Sequence, residues 1–213
     1  MAAREYGQYS GITRGLELVG ERWALLIVRD LLVGPRRYGE LAAGLPRIPS
    51  NILAARLKEL QEAGVLRRAP RSRVIVYEMT PYGRELEPIV LALGAWGFKA
   101  LEEPREEQII TPDSMTMDLR TAFRPQVAAA LPATAYAARL GAAELLIRVD
   151  GPALDVRRGD GPADLAFATG PDIRRLISGE LAPDRAIATG AVEVLRGRGD
   201  LLGRFASTFH LAA

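Results

Sequence analysis

Apolar residues recur with two different periods along this chain. In the first hundred positions the spacing is helical. Residues 12–19 read as a short amphipathic helix closed by Gly20, a residue at ease in the left-handed cap conformation. Residues 23–32 follow, with Trp23, Ile27 and Leu31 on one face, and Trp23 reads as core. Gly34-Pro35 breaks the pattern, and residues 38–45 form a shorter helix closed by Leu45-Pro46. Residues 50–63 are the next helix. The Ser50 hydroxyl is placed to cap it and Gly64 to end it. Leu53, Leu57 and Leu60 make its core face, while Asn51, Ala54, Ala55 and Lys58 lie opposite, with Arg56 at the flank. The period then drops to two. Residues 65–68 and 74–79 are β-rich segments around a polar turn at Pro70-Arg71-Ser72. Thr80 caps and Pro81 opens a last helix running to about Leu101.

Beyond a charged, proline-bearing break at 102–112 the character changes. Residues 116–119, 136–140, 144–150, 154–158, 164–169 and 191–195 read as strands. Residues 171–178 and 201–209 read as helices, with a shorter one at 183–188. The expected fold class is α+β: a helical first domain with a ribbon at 1–101, a linker at 102–112, and a curved antiparallel sheet with helices on one face at 113–213.

Charge separates the two halves. Residues 1–100 hold 15 Lys/Arg against 10 Asp/Glu, a net +5, and residues 101–213 hold 13 against 16, a net −3. The basic half is the candidate for an anionic polymer. Hydrophobic residues make up 48% and charged ones 25%, which suits a packed core. No apolar run approaches the ~18 residues of a membrane span, and the first residues carry no leader pattern. A cytoplasmic location and no membrane partner are expected. Cysteine is absent and His210 is the one histidine, which excludes disulfides, thiolate nucleophiles and Cys-ligated zinc. With no phosphate-loop glycine pattern either, neither catalysis nor a cofactor nor a metal is expected.

Helix, breaker, short helix, tight turn, longer helix and two-stranded ribbon is the order of a winged helix-turn-helix. Its longer helix enters the major groove of double-stranded DNA. Small residues at 54 and 55 allow close approach to base edges, and Asn51 suits an adenine or a phosphate. Ser50 lies at the same helix start. Arg36, Arg37 and Tyr38 sit at the start of the shorter helix. The two arginines cannot both face a phosphate, and Arg37 is the preferred one. Arg68, Arg71 and Arg73 on the ribbon suit backbone or minor-groove contacts. Arg56 reads either as a DNA contact or as the partner of Glu59 or Glu62, and Arg67 as a solvated strand residue.

The ordered set GERWALLIVRDLL at 20–32, GPRRYGEL at 34–41, LPRI at 45–48, Leu53, RLKEL at 56–60, Ala63-Gly64 and YEMTPYGREL at 77–86 resembles the HxlR-type regulators, a branch of the MarR-like winged helices. The resemblance covers about residues 6–100. It implies a homodimer pairing through the first and last helices, with Ile12, Leu16, Leu86, Ile89, Val90, Leu93 and Trp96 as seam candidates. Two departures stand out. Many members carry a cysteine before the first helix, and its absence here excludes thiol sensing. Pro49 stands where many have a serine, which moves the expected cap to Ser50.

The second half resembles a sterol-carrier-protein-like domain. The resemblance rests on ADLAFAT at 163–169, Asp172, LISGELAP at 176–183, AIATGAVEV at 186–194 and GDL at 199–201. It implies a hydrophobic tunnel between sheet and helices. Candidate lining residues for a small hydrophobic ligand are Phe123, Tyr136, Leu145, Ile147, Phe167, Leu176, Ile187, Val192, Leu202 and Phe205, each of which also reads as plain core. The expected function is a DNA-binding regulator, a repressor on an inverted repeat, responsive to such a ligand. The alternative is a constitutive DNA binder whose second domain serves only assembly.

Overall fold

The structure is a computed structural model that describes residues 5–105 and 107–211. The chain divides into two compact units, residues 1–90 and 91–213.

The first unit begins with α1 (Gly11–Val19), α2 (Ala24–Val33), α3 (Tyr38–Gly44) and α4 (Ser50–Glu62). A hairpin of β1 (Leu66–Arg71) and β2 (Val74–Met79) follows, then α5 (Pro81–Arg84). Its core gathers Ile27, Val28 and Leu31 of α2, Leu41 of α3, and Leu53, Leu57 and Leu60 of α4, all at most 2% exposed. Leu66 and Met79, paired across the hairpin, are buried on one of its faces, and Val76 is buried on the other. Glycine is required at position 83, where a Cβ would lie 1.9 Å from the Val65 carbonyl oxygen.

Several local expectations need correction. Gly20 is right-handed, with φ −76°. A Cβ there would meet the Leu16 carbonyl at 2.5 Å, so close approach selects the glycine. The left-handed residue is Trp23, with φ 79°; it is half-buried at the start of α2 beneath the Arg22 guanidinium, 5.1 Å away. Ser50 caps nothing. Pro49 is the extended N-cap and Ser50 the first helical residue, so no side chain caps α4. The ribbon turn sits at Ser72-Arg73, with Ser72 at φ 56° and Arg71 paired to Val74. Pro70 is tolerated inside β1 because that strand has a partner on only one side. The last helix is also interrupted. Thr80 accepts from the Gly83 N–H as expected, but α5 ends at Arg84 and α6 (Glu87–Phe98) restarts. Pro88 lacks an N–H and its ring crowds the preceding turn, which accounts for the break.

The second unit takes up the rest of α6, then α7 (Pro112–Ala122), α8 (Pro125–Ala128), β3 (Thr134–Leu140), β4 (Ala143–Asp150), β5 (Ala153–Arg158) and β6 (Leu165–Thr169). Next come α9 (Ile173–Ser178), α10 (Pro183–Ala188), β7 (Val192–Gly197) and α11 (Leu201–Thr208). The segment expected to be a strand at 116–119 is part of α7. Thr111 accepts from the Ser114 N–H, Pro112 opens the helix, and Met115, Leu119 and Ala122 fall on its buried stripe. The five-stranded sheet runs β5-β4-β3-β6-β7 and is mixed, since β3 and β6 are parallel. A fully antiparallel sheet is prevented by the segment 159–164, which carries the chain from edge strand β5 to the far side of β3. It passes so close to Leu146 that a Cβ on Gly161 would lie 3.0 Å from that side chain. Side chains of α7, α9, α10 and α11 join Leu145, Ile147, Leu165 and Phe167 of the sheet in one core. The Arg158 guanidinium holds the buried Asp113 carboxylate of α7 through contacts of 2.5 and 3.2 Å.

Candidate nucleic-acid interface

The first unit places α4 with three leucines inward and a small polar side outward. Asn51, Ala54 and Lys58 are exposed, and Ala55 is half-buried beside them. Because Pro49 supplies no side-chain cap, the leading N–H groups of α4 carry the positive end of the helix dipole without a side-chain acceptor. Such an end attracts a phosphate. Lys58 pairs loosely with Glu62 at 3.7 Å, both exposed. Tyr38 is half-buried and donates from its hydroxyl to the Ser50 carbonyl oxygen at 2.8 Å, so it fixes where α4 begins.

Arg56 does not face outward. Its guanidinium lies 3.1 Å from Glu21 and is hydrogen-bonded to Glu59, with only 11% of the side chain exposed. Of the two roles open to it, the free chain shows the ion pair, with Glu59 and also Glu21. The pairing spans helices as well as one turn, since Glu21 precedes α2.

Arg36 and Arg37 are divided by the backbone. Arg36 exchanges two main-chain hydrogen bonds with Tyr77, at 3.0 and 2.7 Å, and becomes a short third lane beside β2; its guanidinium donates to the Pro35 carbonyl. Arg37 is exposed and starts α3, where its N–H donates to Glu40. Arg37, Arg71 and Arg73 line a single open concavity of about 580 Å³ between the ribbon tip and the start of α3.

The ribbon arginines are not equivalent. Arg68 lies over the Tyr77 ring at 6.0 Å. Arg71 and Arg67 both grip Glu78, at 2.8 and 2.7 Å. The hydrogen bond from Arg71, and then that from Arg67, holds the Glu78 carboxyl below its ordinary range. Arg73 at the turn has no hydrogen bond or ion pair among the described residues. Glu78 was not singled out from sequence. The signal available was register: an acid on β2 directly across from Arg67 on β1.

The seam candidates occupy two helices. Ile12 and Leu16 on α1 are 80% and 49% exposed, and Ile89, Leu93 and Trp96 on α6 are 57%, 45% and 73% exposed. Leu86 and Val90 are half-buried. Beyond Glu87, α6 is apolar on every side, yet it buries no residue in the single chain.

The candidate ligand residues of the second unit pack on one another. Tyr136, Leu145, Ile147, Phe167, Leu176, Val192, Leu202 and Phe205 are at most 1% exposed, with Phe123 and Ile187 half-buried beside them. Phe205 sits edge-on to Tyr136 and Phe167, each at 5.2 Å, and 4.7 Å from Phe209, so rings occupy the middle of the layer. Burial pushes the Tyr136 phenol up to about 12. Among the described residues no group of acids and histidine is arranged to hold a metal, and no helix is long and apolar enough to cross a membrane.

Residues 18–105 match the HxlR-like helix-turn-helix family. Over 96 residues the chain is 43% identical to an HTH-type transcriptional regulator of Mycobacterium tuberculosis (strain ATCC 25618 / H37Rv), an overlap of 44% of this chain and 60% of that one. It is 37% identical over 86 residues to the HTH-type transcriptional regulator YvaP of Bacillus subtilis (strain 168), covering 39% of this chain and 80% of YvaP. The solved structure of the HTH-type transcriptional regulator ytcD is 35% identical, covers 43% of this chain and 97% of that one, and superposes with a TM-score of 0.41. The chain thus spans about three fifths of the mycobacterial relative and most of YvaP and ytcD.

Proposed function

Because the chain belongs to the HxlR-like helix-turn-helix family, we propose that it regulates transcription by binding duplex DNA as a homodimer. One observation carries this reading: α4 buries Leu53, Leu57 and Leu60 while leaving Asn51, Ala54 and Lys58 exposed, in a unit whose ribbon tip and α3 start share a concavity lined by Arg37, Arg71 and Arg73. A helix with that division can enter the major groove, with arginines of the wing and of α3 on the flanking phosphates. The exposed apolar α6 supports pairing of two copies, which would set two α4 helices on an inverted repeat with half-sites about ten base pairs apart. The outcome is repression, in the cytoplasm, by occlusion of a promoter.

We divide the chain functionally into a DNA-binding and dimerisation domain at 1–101, a connection at 102–112 and a sterol-carrier-like domain at 113–213. The five-stranded sheet with helices against one face supports the last assignment. A small hydrophobic ligand bound to that domain would tune DNA affinity, with equal and reciprocal coupling between the two ligands. A second reading, constitutive DNA binding with an assembly role for the second domain, is favoured by the aromatic packing of Tyr136, Phe167 and Phe205.

Selection from a randomised duplex library, followed by titration of the recovered sites, tests the regulator reading. The expected result is an inverted repeat whose recognition changes with Asn51→Ala, while Arg73→Ala weakens binding to every duplex alike. Equal affinity for selected and random duplexes would count against it.

A further inference from the structure

Within the second unit lies a cavity that the tunnel reading does not include. It holds about 460 Å³, inside the range of small-molecule sites. Its walls are Phe98 from the end of α6, Leu101, Ile109 and Ile110 from the following segment, Met115 of α7 and Ile177 of α9. Leu101 and Ile109 are 53% and 58% exposed, on a stretch with neither helix nor strand. Large aliphatic side chains left in water at a cavity mouth gain free energy from any apolar body that covers them.

The charges at the site have one dominant sign. Glu102 and Asp118 line the cavity, and among the described residues Arg174 is its single lining cation. Arg174 is already committed. It makes a two-pronged bond to Glu180, at 2.7 and 2.9 Å, and reaches Glu103 at 3.5 Å, with 17% of its side chain exposed. An anionic ligand would have to displace Glu180 from that fork to be neutralised, and would meet Glu102 and Asp118 as well. A cation meets the Glu102 carboxylate at the cavity wall and displaces nothing from that fork.

We propose that this cavity binds a lipophilic cation, an apolar and preferably aromatic body carrying one positive charge. The assignment deepens the ligand response proposed above and depends on that reading only for its effect on DNA. The site itself is tested on the free, full-length protein.

Isothermal titration with tetraphenylphosphonium and with tetraphenylborate compares two ions of the same shape and opposite charge. The expected result is one phosphonium per chain, with the borate weaker by about tenfold or more. Ala142 is exposed and lines the cavity, so Ala142→Trp fills the space from outside the core and should abolish phosphonium binding with the melting temperature unchanged. Glu102→Gln should cut the preference for the cation by about threefold and leave the fold intact. Borate binding as tightly as phosphonium, phosphonium binding that survives Ala142→Trp, or no phosphonium binding at all would each overturn the assignment. Repeating the titration with operator present reads the coupling separately: binding without coupling leaves the site standing and removes only the proposed response.

Discussion

The Tyr38 hydroxyl donates to the Ser50 carbonyl oxygen across 2.8 Å, joining the first residue of α3 to the first residue of α4. The bond does not cap α4, since it is donated to a carbonyl, but it ties the start of that helix to its neighbour where Pro49 offers no side-chain acceptor. Tyr38→Phe should keep the ring packing and lose this single bond. We expect a loss of about 1 kcal/mol in urea unfolding, and up to about fivefold weaker operator binding because the start of α4 is less well fixed. Unchanged stability and affinity would show that the loop between the helices holds α4 without it.

Arg56 and Arg73 make a matched pair for separating structure from recognition. Arg56 is enclosed by Glu21 and Glu59, whereas Arg73 is exposed at the ribbon turn. Arg56→Ala should lower the unfolding free energy by about 2 kcal/mol, because two carboxylates lose their partner, and leave the salt dependence of DNA binding alone. Arg73→Ala should do the reverse. Stability stays within about 0.5 kcal/mol, and the slope of log affinity against log salt becomes shallower by about one. A salt slope that moves with Arg56→Ala would return that residue to the interface.

The division of α4 was legible because it depends on a single periodicity. Leucines at 53, 57 and 60 leave few ways to orient the helix. The sheet strands from 134 to 197 were legible for the same reason, since alternation at Leu145, Ile147 and Val149 fixes one face. What sequence did not give away was pairing between residues far apart. Nothing local ties Arg56 to Glu21, or makes β6 run parallel to β3. Both follow from how the chain crosses itself. The strand expected at 116–119 failed because Thr116, Met117 and Leu119 fit either period. The helix is decided by Thr111-Pro112 upstream and the Met115, Leu119, Ala122 stripe. The cavity beside Phe98 was missed because part of its wall, Ile109 and Ile110 included, comes from a segment read as linker.

The apolar α6 helix predicts an assembly. From Ile89 to Phe98 it carries no charged side chain, and Trp96 is 73% exposed. A single chain in water would not leave such a surface uncovered. Leu93→Glu with Trp96→Glu should convert a dimer to a monomer in sedimentation velocity. Operator binding should fall by at least about a hundredfold, since each α4 then binds its half-site alone. Monomeric sedimentation of the unaltered chain at micromolar concentration would remove the dimer from the proposal.

Glu78 is buried on β2 and ties down two of the ribbon's arginines, so it acts as a brake on the wing's positive charge. Glu78→Gln keeps the shape and frees both guanidinium groups for phosphates. The expected result is tighter binding to all duplexes, with a salt slope steeper by up to about two, together with a less stable hairpin. The same logic sets the acid response. The folded pKa of Glu78 is depressed by Arg71 and Arg67, so its contribution to stability is fully present above the ordinary glutamate value of 4.5 and is lost as pH falls through the lower folded value. Nonspecific DNA binding by the unaltered chain should therefore hold steady above that value. On acidification it should move toward that of Glu78→Gln, as measured by fluorescence anisotropy on a random duplex at fixed salt. If Glu78→Gln binds no more tightly than the unaltered chain, Arg67 and Arg71 do not reach the phosphates, and the wing's contact reduces to Arg68 and Arg73.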